Sequence, residues 1–527
     1  MRPNRSGPRR GHRGRPGPSG RGGSPPGTPG PPEDRAHASG RPSAAVLRAR
    51  LAGIDAEMDQ LKVRLDELAV QHESVSAALV SLTSPILALP STITAEIFLR
   101  LADSSHVFGL WTISTCGPLL VARVCKAWRE IALNTPSLWT QIEFWLPPNA
   151  SPRAKSLAYK SFLESWLPRA CGQPLALDLI SRGQNYTAEN DDILPVLASS
   201  STQWQALKTW LPLSFPSDTI RGRIPLLRKL EIGLPESVYS HEPWASNPPI
   251  SGFADAPQLR EVHLSRFTLP LIRLPWAQLT TLDCHGQSNS HCVEILQYTP
   301  YLETFVVYTP EPLSVMYPED EDLEDLEADN TESISLGGVV RLDHLHTLEF
   351  SKLQQSLTLL DSLRFPALTR LTLAGGIDLS FIPTLLTFIA RSGCSLRSFS
   401  VSSYSAVYYP AAGWLAAVPT ATEVTLDHVA WREEDFAVFI DRMATDSDFL
   451  PNLQTLVLND CECDVAYAAV AEMVAGRWYG RRSGVARLRS FQLTLESFNR
   501  VAPPEPSVLE AFKVLVADGC RICVPSL

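Results

Sequence analysis

The sequence predicts a mixed α/β chain: a long N-terminal helix of coiled-coil type, a small helical module, and a large C-terminal domain of stacked strand and helix units. Three observations carry that prediction. Apolar residues return at alternating steps of three and four from Leu47 to Ile86, two amphipathic helical patterns lie between Leu89 and Ile131, and beyond Ser201 the pattern Pro-x-Leu-x-x-Leu-x-Leu keeps coming back. With 527 residues, 44% of them hydrophobic, the chain is long enough for several domains and a large core.

A net charge of -10 argues against general nucleic-acid binding by the folded part, which would need clustered Lys and Arg to neutralise phosphates. Ten cysteines are scattered along the chain and no apolar run stands near the N-terminus, so the expectation is reduced thiols and a cytoplasmic or nuclear location.

Residues 1–43 are rich in Arg, Gly, Pro and Ser, with nine arginines opposed only by Glu33 and Asp34. Such a segment has too little apolar surface to offset its ordering entropy. It reads as a solvated tail or as an arm that touches RNA or another polyanion. Its Pro and Gly density precludes the amphipathic helix of a mitochondrial presequence.

Residues 44–84 read as a coiled-coil helix. Leu47, Leu51, Ile54, Met58, Leu61, Leu65, Leu68, His72, Val75, Leu79, Leu82 and Ile86 keep the 3.5-residue period of a seam. With Leu51, Met58, Leu65, His72, Leu79 and Ile86 at position a, a parallel pair would set Arg50 against Asp55 and Glu57 against Lys62. A homodimer follows from this pattern; a rod that stands alone or packs back on its own chain is the alternative. Pro85 should end the helix.

Residues 86–140 form the small module. Leu89-Pro90 opens a helix whose Ile93, Ile97, Phe98 and Leu101 fall at helical spacing, and a later helix carries Leu120, Val124, Trp128 and Ile131, with Val124-Cys125-x-x-Trp128 at its centre. The combination resembles an F-box. The run through Pro136-Ser137-Leu138-Trp139 is similar to a large fungal family of F-box proteins, as are residues 162–167 and 174–179. The resemblance implies a non-catalytic three-helix module in which Leu89, Pro90, Ile93, Ile97, Phe98, Leu101, Leu120, Val124, Trp128 and Ile131 bind a Skp-type adaptor. Two features depart from the family: residues 103–118 lengthen the connection between the helices, and Thr92 stands where an acidic residue is common.

Residues 141–527 carry the repeat, at 225–232, 257–264, 300–307, 366–373, 419–426 and 451–458, with looser copies near Leu279, Leu345, Leu396 and Leu488. Alternating apolar residues indicate a strand, and residues 291–298, 381–390, 434–443 and 465–478 read as intervening helices. One strand and one helix per copy predict an irregular leucine-rich-repeat solenoid; a doubly wound sheet is the alternative. On its concave face the candidates for binding a protein substrate are Glu231, His263, Asp283, His285, Tyr308, Glu349, Arg370, Asp427 and Asn459. The acidic block at 318–332 reads as a loop.

Nothing points to an enzyme or a cofactor: there is no nucleophile elbow, no phosphate-binding Gly-rich loop and no His-Glu-x-x-His. Cys520-x-x-Cys523 and Cys461-x-Cys463 lack the second ligand pair of a structural zinc site. His285, His291 and Cys292 cluster locally, with no acidic partner expected. What the F-box resemblance implies is the substrate-recognition subunit of an SCF-type cullin-RING ubiquitin ligase, holding the adaptor, and through it a cullin, at one end and a protein substrate at the other. A ligase-independent scaffold, or an RNA-associated protein acting through the Arg/Gly tail, are the other readings.

Overall fold

The computed structural model describes residues 43–83, 85–103, 117–146, 153–181, 193–210, 217–233, 249–267, 269–308, 339–351, 357–375, 381–403, 411–461, 465–480, 484–495 and 503–525. The Arg/Gly tail, most of the 103–118 insertion and the acidic loop at 318–332 lie outside them. The chain divides into two compact units, residues 1–88 and 89–527.

In the first unit the described residues form a helix, α1 (Ala44–Thr83), which starts where Ser43 accepts bonds from the backbone N–H groups of Val46, through its Oγ, and of Leu47. Pro85 cannot donate to a further helical turn, and residues Pro85–Ala88 turn as a 3-10 helix. Two ion pairs line the flank of α1, Lys62 with Asp59 at 3.0 Å and Arg64 with Glu67 at 2.8 Å.

The second unit opens with α2 (Ser91–Asp103), α3 (Gly117–Val124) and α4 (Lys126–Leu133), which pack on one another. The sequence suggested one later helix across residues 120–132; the structure breaks it at Cys125, whose backbone is extended (φ -155, ψ 173) and whose Sγ accepts a bond from Trp128 N at 3.4 Å. The thiol thus serves as the N-cap of α4 and satisfies one of the orphan N–H groups of its first turn. Arg129 ties the two helices back together by donating to the Ala122 carbonyl at 2.9 Å.

After a 3-10 turn, Pro136–Trp139, the chain enters a parallel sheet to which the described residues contribute 14 strands. These are β1 (Gln141–Leu146), β2 (Leu175–Ser181), β3 (Trp204–Trp210), β4 (Lys229–Gly233), β5 (Glu261–Ser265), β6 (Thr281–His285), β7 (Thr304–Tyr308), β9 (Thr347–Ser351), β11 (Arg370–Ala374), β12 (Ser398–Ser402), β13 (Glu423–Asp427), β14 (Thr455–Cys461), β15 (Ser490–Leu495) and β16 (Arg521–Cys523). The two short strands β8 (Val340–Arg341) and β10 (Leu363–Arg364) pair separately. The order in the large sheet follows the chain from end to end, whereas a doubly wound sheet reverses its order at a switch point. Each of the ten copies of the repeat supplies one strand. The strands β1, β2, β3 and β16 have no copy of the pattern and extend the sheet beyond it.

Outside the shifts at Leu175/Ala176 and Leu458/Cys461, the strands step in a common register, and through the repeats the same backbone group closes each step. The carbonyl just before a strand accepts from two successive N–H groups of the next: Arg228 O from Arg260 and Glu261, Arg260 O from Thr280 and Thr281, and so on through Thr280, Glu303, His346, Thr369, Arg397, Thr422 and Gln454, all at 2.7 to 3.0 Å. Along each strand apolar side chains alternate between burial and exposure of their neighbours, so Leu230, Ile232, Val262, Leu264, Leu282 and Cys284 are buried while the residues between them look outward. Helices Asn289–Gln297, Phe381–Ser392, Glu433–Thr445 and Tyr467–Trp478 follow their strands, close to the segments that read as helical.

Arginines fasten successive helices. Arg391 donates to the carbonyls of Leu360 and Leu363, Arg442 to that of Ala412 at 2.9 Å, and buried Arg477 to those of Met443, Phe449 and Leu450 at 2.7 to 2.8 Å. A guanidinium, with five donors, is suited to collecting carbonyls left without partners where a helix ends.

Candidate functional site

The three-helix module has an inner seam and outer rows. Phe98 is buried edge-on against Trp128 (centroids 5.0 Å apart), with buried Thr94 one turn earlier on α2. Trp139, also buried, donates from its indole to the Ala132 carbonyl at 2.9 Å and stacks edge-on with Trp166, whose own indole donates to the Trp139 carbonyl at 3.1 Å; Arg169 lies 4.5 Å over the Trp139 ring. This tryptophan pair joins the module to the helix Arg153–Trp166 and fixes it on the sheet.

The ten residues expected to meet an adaptor therefore divide. Leu89, Ile93, Ile97, Leu101, Leu120 and Val124 are exposed, between 38% and 58%. Ile93, Ile97 and Leu101 form one row along α2, and Leu120 and Val124 a second on α3, the helix packed against it. Pro90 is exposed beside them. Phe98, by contrast, is closed off inside the module, and Trp128 and Ile131 are half-buried against the core; helical spacing alone did not separate the face that packs inward from the face that looks out. Exposed Leu133 adds to the outer surface and was not foreseen. Thr92 is exposed.

The nine candidates on the sheet divide as well. The register sets Glu231 beside His263 and His263 beside Asp283, and in the adjacent row His285 beside Tyr308. His263 Nδ1 lies 2.8 Å from Asp283 Oδ2 and His285 Nε2 lies 3.1 Å from Asp283 Oδ1, while the His285 and Tyr308 rings stack at 4.9 Å. Burial works against the charge on Asp283, yet the two imidazoles outweigh it and hold the carboxyl down at about 2. In return, Asp283 raises the pKa of His285 against the opposing effect of burial. The sequence suggested that His285 clusters with His291 and Cys292 and lacks an acid. Instead its acid is Asp283, His291 bonds to the Ser288 hydroxyl at 2.8 Å, and Cys292 is buried against Cys284.

Two residues of this surface escaped the sequence reading. Lys208 reaches Glu231 at 2.6 Å, and that bond together with Glu231, Asp178 and Glu143 raises its pKa in spite of burial. Trp210 lies so close over Gly233 that a Cβ there would stand 2.5 Å from its Cε3. The alternation within β3 places both on the outward face. Asp427 and Asn459 form a second cluster, with Asn459 donating to Asp427 at 2.8 Å and Gln492 donating to Asn459 at 2.7 Å. Glu349 and Arg370 belong to neither: Val306 separates Glu349 from Asp283, and Arg370 sits between Thr347 and Ser398.

Two buried thiols, Cys461 and Cys284, are held far from the reactive anion. Burial pushes Cys461 up to about 12, and a bond from Cys292 together with burial raises Cys284. Among the described residues no group of three His, Cys, Asp or Glu side chains is placed to hold a metal ion, and no helix is long and apolar enough to cross a membrane. Cys463 lies outside the described residues.

Against known proteins, residues 86–145 match the F-box-like family model, so the chain carries an F-box-like domain over the three-helix module and β1. No curated protein matches the chain.

Proposed function

We propose that this chain is the substrate-recognition subunit of an SCF-type ubiquitin ligase: its F-box-like domain binds a Skp-type adaptor, and through it a cullin, while its parallel sheet, read as an irregular leucine-rich-repeat solenoid, captures the protein to be modified. The carrying observation is that the segment matching the F-box-like family leaves two rows of large aliphatic side chains exposed on helices whose own seam is already closed. Covering Leu89, Ile93, Ile97, Leu101, Leu120 and Val124 with an apolar partner removes that surface from water, at about 25 cal/mol for each Å².

The chain itself performs no chemistry in this reading. It acts by holding a substrate lysine near a charged ubiquitin carrier, which raises the effective concentration of the two. The repeated register of the sheet and its outward polar residues support the substrate role. The cluster of Lys208, Trp210, Glu231, His263, Asp283, His285 and Tyr308 is the best-built part of that face, since its charges and rings already constrain one another before a partner arrives.

The test is reconstitution. The full chain is mixed with a recombinant Skp-type adaptor and a cullin and separated by gel filtration. Co-elution of all three supports the ligase reading; adaptor without cullin points to a ligase-independent scaffold, and neither removes the proposal.

A further inference from the structure

The first unit carries an apolar surface that the receptor reading does not use. Along α1, Leu47, Leu51, Ile54, Met58, Leu61, Leu65, Leu68, Val75 and Leu79 are all exposed, between 48% and 68%. They make one seam, and it is narrow. Of the positions that flank it, residues 50, 55, 57, 62 and 64 are Arg, Asp, Glu, Lys and Arg, and residues 69, 71, 76 and 78 are Ala, Gln, Ser and Ala. Charged residues at 48, 50, 55, 57, 62 and 64 confine the apolar stripe to the a and d positions over the first half of the helix, the width that one partner helix covers.

We infer that α1 pairs with α1 of a second copy of this chain as a parallel, in-register, two-stranded coiled coil. The inference stands apart from the proposed ligase role. Charge points to its occupant, and charge together with overlap to its direction. In the parallel arrangement Arg50 meets Asp55 of the other copy and Glu57 meets Lys62, each pair occurring twice by symmetry, with no like-charged pair among the flanking positions. An antiparallel pair with full overlap would match Leu51 with Val75, Ile54 with His72, Met58 with Leu68 and Leu61 with Leu65. Its dyad would then set Lys62 against Lys62 and Arg64 against Arg64, and it would offer no acid–base pair in exchange. An antiparallel pair slid by one heptad would set Asp55 against Lys62 and Glu57 against Arg64, but it carries Leu79 past the end of the opposite helix and buries His72 against Leu47, whereas the parallel, in-register pair keeps the whole seam.

In the single chain Lys62 turns to Asp59 and Arg64 to Glu67. Both pairs are exposed neighbours on the same helix, so Lys62 can move to Glu57 of a partner at little cost. His72 interrupts the seam at one position a, the place where a polar residue fixes register by penalising every alignment that buries it against an aliphatic side chain.

Sedimentation equilibrium of the full chain tests the stoichiometry, and two kinds of variant test the geometry. The wild type is expected at twice the protomer mass, and Leu61→Asp/Leu65→Asp at the protomer mass with an unchanged melting transition for the second unit. Glu57→Lys is expected to raise the dissociation constant roughly threefold to tenfold, and adding Lys62→Glu to restore it. Ile54→Cys is expected to cross-link on mild oxidation above the background set by the exposed Cys171 and Cys523 of the wild type. A monomer at tens of micromolar, or a trimer or larger species, overturns the inference. A dimer in which Ile54→Cys does not cross-link and the charge exchange does not rescue overturns its parallel geometry. Because adaptor binding is read separately, failure here leaves the ligase proposal intact, and the reverse also holds.

Discussion

The three-helix module and the sheet treat their apolar side chains in opposite ways. In the sheet most apolar residues of each strand are buried, Leu230, Val262, Leu282 and Phe305 among them, and what faces outward is mainly polar, charged or aromatic, with Val306 and Val457 among the exceptions. In the module a few aromatic residues close the inside, and Ile93, Ile97, Leu101, Leu120 and Val124 stay in contact with water. An apolar surface of this kind asks for one partner of matching shape and tolerates little else, while a polar face can be altered residue by residue without loss of the core beneath it. In the proposed receptor this difference would be a division of labour between a fixed attachment and an adaptable recognition surface.

The comparison is broken most severely through the inner seam. Trp139→Ala or Phe98→Ala is expected to destabilise the second unit by about 3 to 5 kcal/mol through lost burial and a cavity. A urea titration measures it, and a loss under 1 kcal/mol would mean that the module has no closed interior. Arg477→Met comes next. It strips three carbonyls of their donor in a buried site and is expected to cost about 2 to 3 kcal/mol, with the sheet loosening around Glu433–Thr445 first in hydrogen exchange. Uniform exchange across the sheet would show that the arginine does not join neighbouring units.

Asp283→Asn is a smaller change with a pH signature. The lowered carboxyl pKa contributes stability that is present above its ordinary 3.8 and is lost as pH falls toward about 2. The raised pKa of His285 contributes stability that is present below its ordinary 6.5 and is lost as pH rises through the folded value. The wild type should therefore exceed the variant most between pH 4 and 6.5, by about 1 kcal/mol after solvent screening, with the gap narrowing on either side. In the variant the His285 resonance should titrate at lower pH by NMR; an unmoved titration would dissociate the two groups. Lys208→Ala, at a partly exposed ion pair, is expected to change stability by less than about 1 kcal/mol, and its use lies in substrate binding once a substrate is known.

How much of this was legible in the sequence depended on how local each feature is. The strands of the ten repeats were, because alternation within five residues fixes both the strand and its inner face. β3 was not: it lacks the Pro-x-Leu pattern, so Lys208 and Trp210 went unnoticed. The pairing of His263 with Asp283 spans two strands and depends on a register that loop length sets, which no local pattern reports. In the module, Ile97 and Phe98 are adjacent and both apolar, and only the packing of α2 against α4 decides that Phe98 turns inward. The break at Cys125 was hidden because a cysteine rarely caps a helix, and the pattern on either side of it stays helical.

The most direct test of the division between attachment and recognition is adaptor binding by full-length variants, read by calorimetry beside a thermal melt of each. Ile97→Asp/Leu120→Asp places charge on both exposed rows and touches nothing in the seam. The account predicts an unchanged melting temperature and a loss of adaptor affinity of at least a hundredfold. Wild-type affinity in that variant, or a wild type that folds and binds no Skp-type adaptor, would contradict it.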